Sequence, residues 1–267
     1  RYSMNDDVAT GDSSFNSTVV ATGGTWGRNS YQGLSNSGGR RALILYPASI
    51  TTAQEASIRN AIFSTFSLAP QYDRTALFVG DSITFGQGAS NAGTTSRPGL
   101  YHANKPKPAR TINQGVSGVQ LATVVSDNGH ADGAYKAGRA NVLVVLIGSN
   151  DFANAATPDG AALYSSLKGY VQGRLARGFR VVVGTVMART GTSAYTSAQE
   201  SARAAYNGSI KSDLSTLAGV SIVDFDAAQM AGNVPFGDGV HPTDAGYAYM
   251  AQMEAPLIEA AFAALAA

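Results

Sequence analysis

The sequence predicts a three-layer α/β/α domain built on a parallel sheet of about five strands. From Thr75 onward, short apolar runs alternate with longer helical stretches. This alternation is typical of a parallel sheet whose strands are joined by helices. The run at residues 142–147 is apolar throughout, as expected of a strand that is covered on both faces.

Five strands are predicted in this part of the chain, at residues 75–79, 109–112, 141–147, 180–186 and 220–224. Helices are predicted between them, near residues 117–127, 160–177 and 196–217, and a last helix runs from about Thr243 to Ala264. Ligands of such sheets bind beyond the carboxyl ends of the strands. Residues that directly follow a strand are therefore the first candidates for a functional site.

The first 70 residues lie outside the predicted α/β domain. Residues 1–40 are rich in Gly, Ser, Asn and Thr, which indicates short strands and turns or an extended arm. Residues 41–46 predict a strand, and the capping-box pattern that begins at Thr52 predicts a helix to about Phe66. We expect residues 1–70 to be an N-terminal extension or the remnant of a β module, such as the end of a laminin-G-like sandwich. Residues 71–267 are expected to be the α/β domain.

Composition excludes several classes of function. The net charge of +1 gives no basic surface for nucleic acid or for an anionic membrane, and no apolar run approaches the ~20 residues that span a bilayer. Cysteine is absent, so thiol catalysis, disulfides and zinc–thiolate sites are excluded. The glycines between positions 80 and 88 lack the Gly-Lys-Ser/Thr ending of a phosphate-binding loop. No histidine pair has metal-ligand spacing, and we expect no metal and no cofactor.

The compartment is suggested only by composition. Since the chain begins at Arg1 without a signal peptide, we expect it to be processed or trimmed. Abundant Gly, Ser, Thr and Asn and few lysines favour a secreted or extracytoplasmic protein. The sequence indicates no oligomeric state.

One serine and one histidine are candidates for hydrolytic chemistry. Ser82 follows the first strand of the α/β domain, where a nucleophile can be presented at the sheet edge. Only His241 combines a carboxylate three residues upstream in a glycine-containing turn, that of Asp238, with a helix signal directly after it. A serine nucleophile needs a base, and the base needs an orienting carboxylate. Asp244 is the rival carboxylate, but its place at the start of the last helix suits the helix dipole.

Two further residues follow strand ends. Gly118 lies in the turn after the second strand, and its N–H has no side chain to block close approach. Asn150 follows the third strand and carries an amide that can point at developing negative charge. The alternatives are that Ser82 is a helix N-cap and Asn150 a turn residue. The remaining histidines, at positions 102 and 130, lie in segments predicted to be loops.

Four short motifs resemble the blocks of the SGNH (GDSL-type) hydrolases. Gly80-Asp-Ser-Ile83 is similar to the first block, and Asn113-Gln-Gly-Val-Ser-Gly118 to the second. Gly148-Ser-Asn-Asp151 is similar to the third, and Asp238-Gly-Val-His241 to the last. They occur in the order and at the spacings typical of that family, and the resemblance covers residues 75–267.

The resemblance implies a flavodoxin-like sheet and a serine esterase that needs no cofactor. It implies Ser82 as nucleophile, His241 as base and Asp238 as the partner of that base. It also implies that Ser82, Gly118 and Asn150 hold the oxyanion.

The resemblance defines the substrate class less precisely than the catalytic residues. The first and last motifs look most like the bacterial carbohydrate-esterase branch, which implies O-acetyl groups on a polysaccharide or a small-molecule ester. A broad short-chain carboxylesterase or a lysophospholipase is the alternative, and a glycan-binding module on a hydrolase scaffold is the non-enzymatic one. The segment from Gly88 to Arg110, with Tyr101 and His102, is expected to be a surface flap beside a small pocket, which favours acetyl esters.

Overall fold

The computed structural model describes residues 31–35, 41–45, 73–107 and 109–266. In the first part of the chain, the described residues form two antiparallel strands, β1 (Tyr31–Ser35) and β2 (Arg41–Leu45), with Tyr31 opposite Leu45. The strand predicted at residues 41–46 is therefore present over Arg41–Leu45. The helix predicted from Thr52 to Phe66 lies outside the described residues.

The parallel sheet belongs to a second unit, Asp73–Ala267. Its strands are β3 (Arg74–Gly80), β4 (Arg110–Gly115), β5 (Ala140–Leu146), β6 (Arg180–Gly184) and β7 (Val220–Val223). They pair in the order β4-β3-β5-β6-β7, and every pairing is parallel. The predicted fold class is confirmed, and this strand order is the flavodoxin-like one. The strand order reverses between β3 and β5, so a ligand crevice is expected beyond the carboxyl ends of these two strands.

Helices connect the strands and cover both faces of the sheet. Those described in this unit are α1 (Ser82–Phe85), α2 (Arg97–Asn104), α3 (Leu121–Ser126), α4 (Asn128–Ala134), α5 (Ser149–Asn154), α6 (Gly160–Arg177), α7 (Ser197–Ser212), α8 (Phe225–Met230) and α9 (Asp244–Ala266). Local signals set their ends. Asp159 accepts hydrogen bonds from the N–H groups of Ala161 and Ala162 and begins α6, and Gly178 ends it in a left-handed conformation.

The core is divided between the two faces of the sheet because successive strand side chains point in opposite directions. On one face, Leu77 and Leu143 pack with residues of α3, α6 and α7. On the other, Phe78 and Val144 pack with residues of α2, α8 and α9. Full burial of each such side chain contributes roughly 1.5–3 kcal/mol. This two-sided cover explains why the central strands are apolar throughout.

Two predicted helix boundaries and one predicted loop differ from the structure. The helix expected near 117–127 begins only at Leu121, because Gly118 adopts a left-handed backbone with φ 77°. The helix expected over 196–217 ends at Ser212 and is followed by a separate 3₁₀ turn before β7. The segment around position 130, predicted to be a loop, forms α4, where Asp132 accepts a 2.6 Å hydrogen bond from Arg174. That contact from α6 was not visible in the local sequence.

The segment from Gly88 to Arg110 contains a helix where the sequence predicts a surface flap. Ser96 caps α2, which packs against α9. The guanidinium of Arg97 is fully buried and pairs with the carboxylate of Glu254 at 2.6 Å. This long-range ion pair holds the segment against the domain.

The prediction that Tyr101 and His102 wall a pocket is wrong. Tyr101 is buried, and its hydroxyl donates a 2.8 Å hydrogen bond to Glu259. Glu259 also binds Arg74, the first residue of β3. Tyr101 and its neighbour His102 therefore lie toward the edge of the sheet where the strands begin, away from their carboxyl ends.

Candidate functional site

Ser82 is presented directly beyond the carboxyl end of β3, a strand with neighbours on both sides. The strand ends at Gly80, and Ser82 opens the single turn of α1. Asp81 caps this turn by accepting the N–H of Ile83 at 3.0 Å. The hydroxyl of Ser82 therefore has a defined place at the sheet edge where ligands are expected.

His241 lies between Ser82 and Asp238. Its Nε2 is 2.8 Å from the hydroxyl oxygen of Ser82, and its Nδ1 is 2.7 Å from Oδ2 of Asp238. An ionised carboxylate can only accept, so Nδ1 carries the proton and donates it to Asp238. In the neutral ring, Nε2 is then the acceptor that faces the Ser82 hydroxyl. The two atoms are within hydrogen-bond reach, which is the geometry that proton transfer from a hydroxyl to an imidazole requires.

Asp238 is held in its ionised form. Burial acts to raise the pKa of Asp238, but hydrogen bonds from the His241 ring and from the backbone N–H groups of His241 and Val240 outweigh it and lower the pKa to about 2. Its carboxylate is therefore charged at every pH at which an imidazole titrates.

The rival carboxylate has a different partner. Asp244 accepts hydrogen bonds from the backbone N–H of Ser90 at 2.8 Å, from the Ser90 hydroxyl at 2.5 Å and from the Thr95 hydroxyl at 2.9 Å. These bonds tie the segment after α1 to the start of α9. Asp244 thus supports the turn that carries His241 and does not contact the ring.

Gly88 brings the same segment close behind the imidazole. A Cβ at position 88 would lie 2.8 Å from Cβ of His241 and 2.7 Å from the carbonyl oxygen of Pro242. The backbone φ of Gly88 is 91°, which L side chains rarely adopt. Only glycine fits there, and its absence of a side chain lets the segment support His241 from one side.

Gly118 and Asn150 lie next to each other. Nδ2 of Asn150 donates a 3.1 Å hydrogen bond to the carbonyl oxygen of Val119, the residue after Gly118. Gly118 has φ 77°, and a Cβ there would meet no atom within 4 Å, so its surroundings are open on the side that a side chain would occupy. The structure therefore brings the glycine and the amide that follow β4 and β5 to one place.

The acidic and amide residues beside these positions fix their turns. Asp151 accepts the N–H of Leu121 at 3.1 Å and thereby links the turns after β5 and β4. Asn113 accepts the N–H of Gly115 at 2.9 Å.

Burial raises the pKa of Asp81 to about 6, against the opposing charges of Arg97 and Arg189.

One residue at this edge was missed by sequence reasoning. Arg189 follows β6, and its Nη2 donates to Oδ1 of Asn150 at 3.0 Å and to the carbonyl oxygen of Ser149 at 3.2 Å. The rule that drew attention to the residues after β3, β4 and β5 applies equally to β6. Applied there, it would have found Arg189.

A shallow cavity of about 300 Å³ lies at Asp151, on the side of α5 and α6. Its lining residues come from the turns and helices after β4 and β5: Gln120, Asp151, Phe152, Ala155, Pro158, Asp159, Ala162, Leu163 and Ser166. Ser82 is not among them.

Within the described ranges, no cluster of three acidic or histidine side chains is arranged to hold a metal ion. Of the helices described, none has the length and apolar character needed to cross a bilayer.

Solved structures share this fold. A member of the lipolytic G-D-S-L family from Veillonella parvula superposes with a TM-score of 0.59 at 18% identity, covering 69% of this chain and 97% of that one. A GDSL-like lipase from Bacteroides thetaiotaomicron gives 0.56 at 19% identity, with 77% and 98% covered. The native aryl esterase of M. smegmatis gives 0.58 at 14% identity, with 70% and 99% covered. At these identities the likeness concerns the fold.

Sequence comparison gives the family. No curated protein sequence matches the chain. The sequence model of the GDSL-like lipase/acylhydrolase family matches residues 78–249, which is more than half of the chain and runs from β3 into α9. The motifs around Ser82, Gly118, Asn150 and His241 all fall within this match. The chain therefore belongs to the GDSL-like lipase/acylhydrolase family and is a carboxylic ester hydrolase.

Proposed function

We propose that the protein hydrolyses short-chain acyl esters, with O-acetyl groups on carbohydrate as its substrate class, through a Ser82–His241–Asp238 triad and an acyl-enzyme. The observation that carries the proposal is the continuous chain of contacts from the Ser82 hydroxyl through both ring nitrogens of His241 to Asp238, at 2.8 and 2.7 Å. A hydroxyl so placed can lose its proton to Nε2 as its oxygen attacks a carbonyl carbon.

The first half of the reaction forms the acyl-enzyme. The oxygen of Ser82 bonds to the acyl carbon while its proton passes to Nε2 of His241, and the carbonyl π pair moves onto the substrate oxygen. Asp238 stabilises the imidazolium that results. When the tetrahedral intermediate collapses, the bond to the alkoxy oxygen breaks and Nε2 delivers its proton to the departing alcohol.

The second half repeats these steps with water. His241 takes a proton from the water as its oxygen attacks the acyl-enzyme, and collapse returns that proton to Ser82 and releases the acid. In both halves, negative charge develops on the former carbonyl oxygen. The backbone N–H groups of Ser82 and Gly118 and the Nδ2 amide of Asn150 are the donors that we assign to it.

The surface near the nucleophile supports a polar leaving group. The exposed Ser117 hydroxyl donates to Oε1 of Gln87 at 3.1 Å, beside the turn that carries Gly118. The segment from Gly88 to Thr95 adds exposed Ser, Asn and Thr side chains. Groups of this kind hydrogen-bond the hydroxyls of a sugar, whereas a long acyl chain needs an apolar tunnel.

One observation favours the alternative function, that of a broad carboxylesterase or lysophospholipase. Phe85 and Val116 are large apolar side chains with 48% and 57% of their surface exposed. Phe85 belongs to the turn that begins at Ser82, and Val116 lies two residues before Gly118. An apolar leaving group or acyl chain can contact exposed apolar side chains of this kind.

A chain-length series tests the proposal. Acetyl, butanoyl and octanoyl esters of one chromogenic phenol are compared by kcat/KM, alongside acetylated xylan and a lysophospholipid. We expect the acetyl ester and acetylated xylan to be preferred. An apolar tunnel would reward each added methylene by roughly 0.8 kcal/mol, so a steady rise toward octanoyl would replace the acetylesterase assignment with the lipid-esterase one. Binding of glycan without turnover of any ester would favour the non-enzymatic module.

A further inference from the structure

The orientation of the Asn150 amide is determined by two neighbours of opposite character. Its Nδ2 faces the carbonyl oxygen of Val119 at 3.1 Å, and its Oδ1 faces Nη2 of Arg189 at 3.0 Å. A carbonyl oxygen only accepts and a guanidinium only donates. The flipped amide would place oxygen against oxygen and N–H against N–H, so only one orientation satisfies both neighbours.

This orientation leaves one N–H of the Asn150 amide without an acceptor among the described residues. Nδ2 carries two protons, and the bond to Val119 takes one. Nδ2 itself lies against the turn that contains Gly118 and Val119, which places its second proton at this turn. A donor held in place before the reaction is what an oxyanion site needs, because no reorganisation is then required as the charge develops.

Arg189 is itself held by a closed set of hydrogen bonds. Its Nε donates to the hydroxyl of Ser149 at 3.1 Å, and its guanidinium lies 5.4 Å from the ring centroid of Tyr195. The Tyr195 hydroxyl donates to the carbonyl oxygen of Ser149 at 3.0 Å and lies 3.1 Å from the Ser149 hydroxyl. The Ser149 proton then points at Tyr195, which leaves the Ser149 oxygen to accept from Arg189.

The segment that carries Arg189 is anchored at both ends. On one side, the backbone N–H and carbonyl oxygen of Val186 both bond to the side chain of the buried Asn207, at 2.9 and 2.8 Å. On the other, the N–H of Thr190 donates to the carbonyl oxygen of Gly239 at 2.8 Å, within the turn that joins Asp238 to His241. Arg189 therefore connects the Asn150 side of the site with the His241 side.

We propose that Arg189 is a positioning residue for the ester hydrolysis: it locks the Asn150 amide with Nδ2 toward the oxyanion and keeps positive charge behind it. The proposal rests on the proposed function for its kinetic consequence. Its structural consequence, the fixed amide, does not depend on which ester is the substrate.

The kinetic test is a double-mutant cycle on the full chain with the chromogenic acetyl ester. Arg189→Ala should lower kcat by about 10- to 100-fold with little change in KM, as expected when the support of a preorganised group is removed. In an Asn150→Ala background, the same substitution should change kcat by less than about 2-fold, because the group it acts through is gone. Arg189→Lys should recover part of the loss, since it restores a donor to Oδ1.

A matched control separates this role from a general loss of stability. The guanidinium of Arg177 likewise lies over a tyrosine ring, 4.7 Å from the centroid of Tyr135, at the end of α6 and the opposite edge of the sheet. Arg177→Ala should leave kcat unchanged. The thermal midpoint of each variant reports any loss of folding.

A second readout needs no turnover. In ¹H–¹⁵N spectra the side-chain amide pair of Asn150 is assigned by its absence from Asn150→Ala. Arg189→Ala should move this pair and bring its two proton shifts together, whereas Arg177→Ala should leave it in place. An unchanged pair, or equal kcat losses in both backgrounds, would overturn the positioning role. An inactive wild-type protein with the expected spectral change would instead remove the proposed function and leave the amide lock standing.

Discussion

Asp238 holds His241 by two separate bonds. Its Oδ1 accepts the backbone N–H of His241 at 2.7 Å, while its Oδ2 lies 2.7 Å from Nδ1 of the same residue. The first bond fixes the turn and the second fixes the ring. Because both bonds arise within four consecutive residues, the carboxylate orients the imidazole through local contacts.

The nucleophile is tested by removing its hydroxyl. Ser82→Ala should lower kcat by about 10³-fold or more, because we assign the acyl-enzyme to the Ser82 hydroxyl. The fold should remain intact, as judged by circular dichroism. Ser126→Ala, an exposed serine on α3, serves as the control. A serine-directed phosphonate should label Ser82 in a peptide map, and labelling at Ser117 or Ser149 with an active Ser82→Ala protein would refute the assignment.

The partner of the base is tested by an isosteric change. In Asp238→Asn, the amide offers an N–H to Nδ1, which favours the tautomer in which Nε2 carries the proton and cannot act as base. We expect kcat to fall by about 10³- to 10⁴-fold. The control is Asp244→Asn, which loosens Ser90 and Thr95 but leaves the ring untouched. Equal losses in the two variants would mean that the contact of Asp238 with the His241 ring has no role beyond support of the turn.

The pH dependence of the reaction follows from the low pKa of Asp238. Since that pKa is about 2, Asp238 adds no protonation step near neutral pH, and kcat/KM should show a rising limb with pH as the general base loses its proton. His102→Gln and His130→Gln should keep this limb. Its loss in either variant, together with activity retained in His241→Ala, would require a different base.

The oxyanion donor is tested at Asn150. Asn150→Ala should lower kcat by about 10²- to 10³-fold with a smaller effect on KM, because the bond to the oxyanion strengthens in the transition state. Asn150→Asp, which keeps the shape but replaces the donor with a carboxylate beside Arg189, should be at least as damaging. Steady-state kinetics on the acetyl ester measure both. Unchanged kcat would return Asn150 to the role of a turn residue.

The raised pKa of Asp81 predicts how the stability of the protein depends on pH. Burial raises its pKa from 3.8 to about 6, so between these values the folded protein binds more protons than the unfolded chain. The free energy of unfolding should therefore fall as the pH rises from about 4 to about 6, by up to about 3 kcal/mol from this group. Asp81→Asn cannot titrate and should lack this contribution.

Urea unfolding at a series of pH values measures the difference between the two proteins. The variant should gain stability relative to the wild type as the pH rises through this range. Glu254, whose pKa burial raises to about 7, titrates in the same direction in both proteins and cancels in the comparison. Curves that stay parallel from about pH 4 to about pH 7 would show that Asp81 is not the titrating group.

Local sequence was sufficient for the order of the elements and for the parts of the site that are local. The parallel sheet follows from apolar runs spaced by helical segments, and the turn from Asp238 to His241 contains both residues that bond to each other. In such cases the determining features are the backbone geometry and the regular repeat of side-chain direction. Both extend over only a few residues, so the sequence alone reveals them.

The tertiary structure decided what depends on residues far apart. Ser82 and His241 are 159 positions apart, and Asn150 and Arg189 are 39 apart; their contacts exist only because parallel strands bring their carboxyl ends to one edge. The same packing sent Tyr101 to the opposite edge and turned the predicted flap into a helix held by Arg97 and Glu254. Periodicity reports which face of an element is buried, whereas the partner it is buried against is chosen by the packing of the whole sheet.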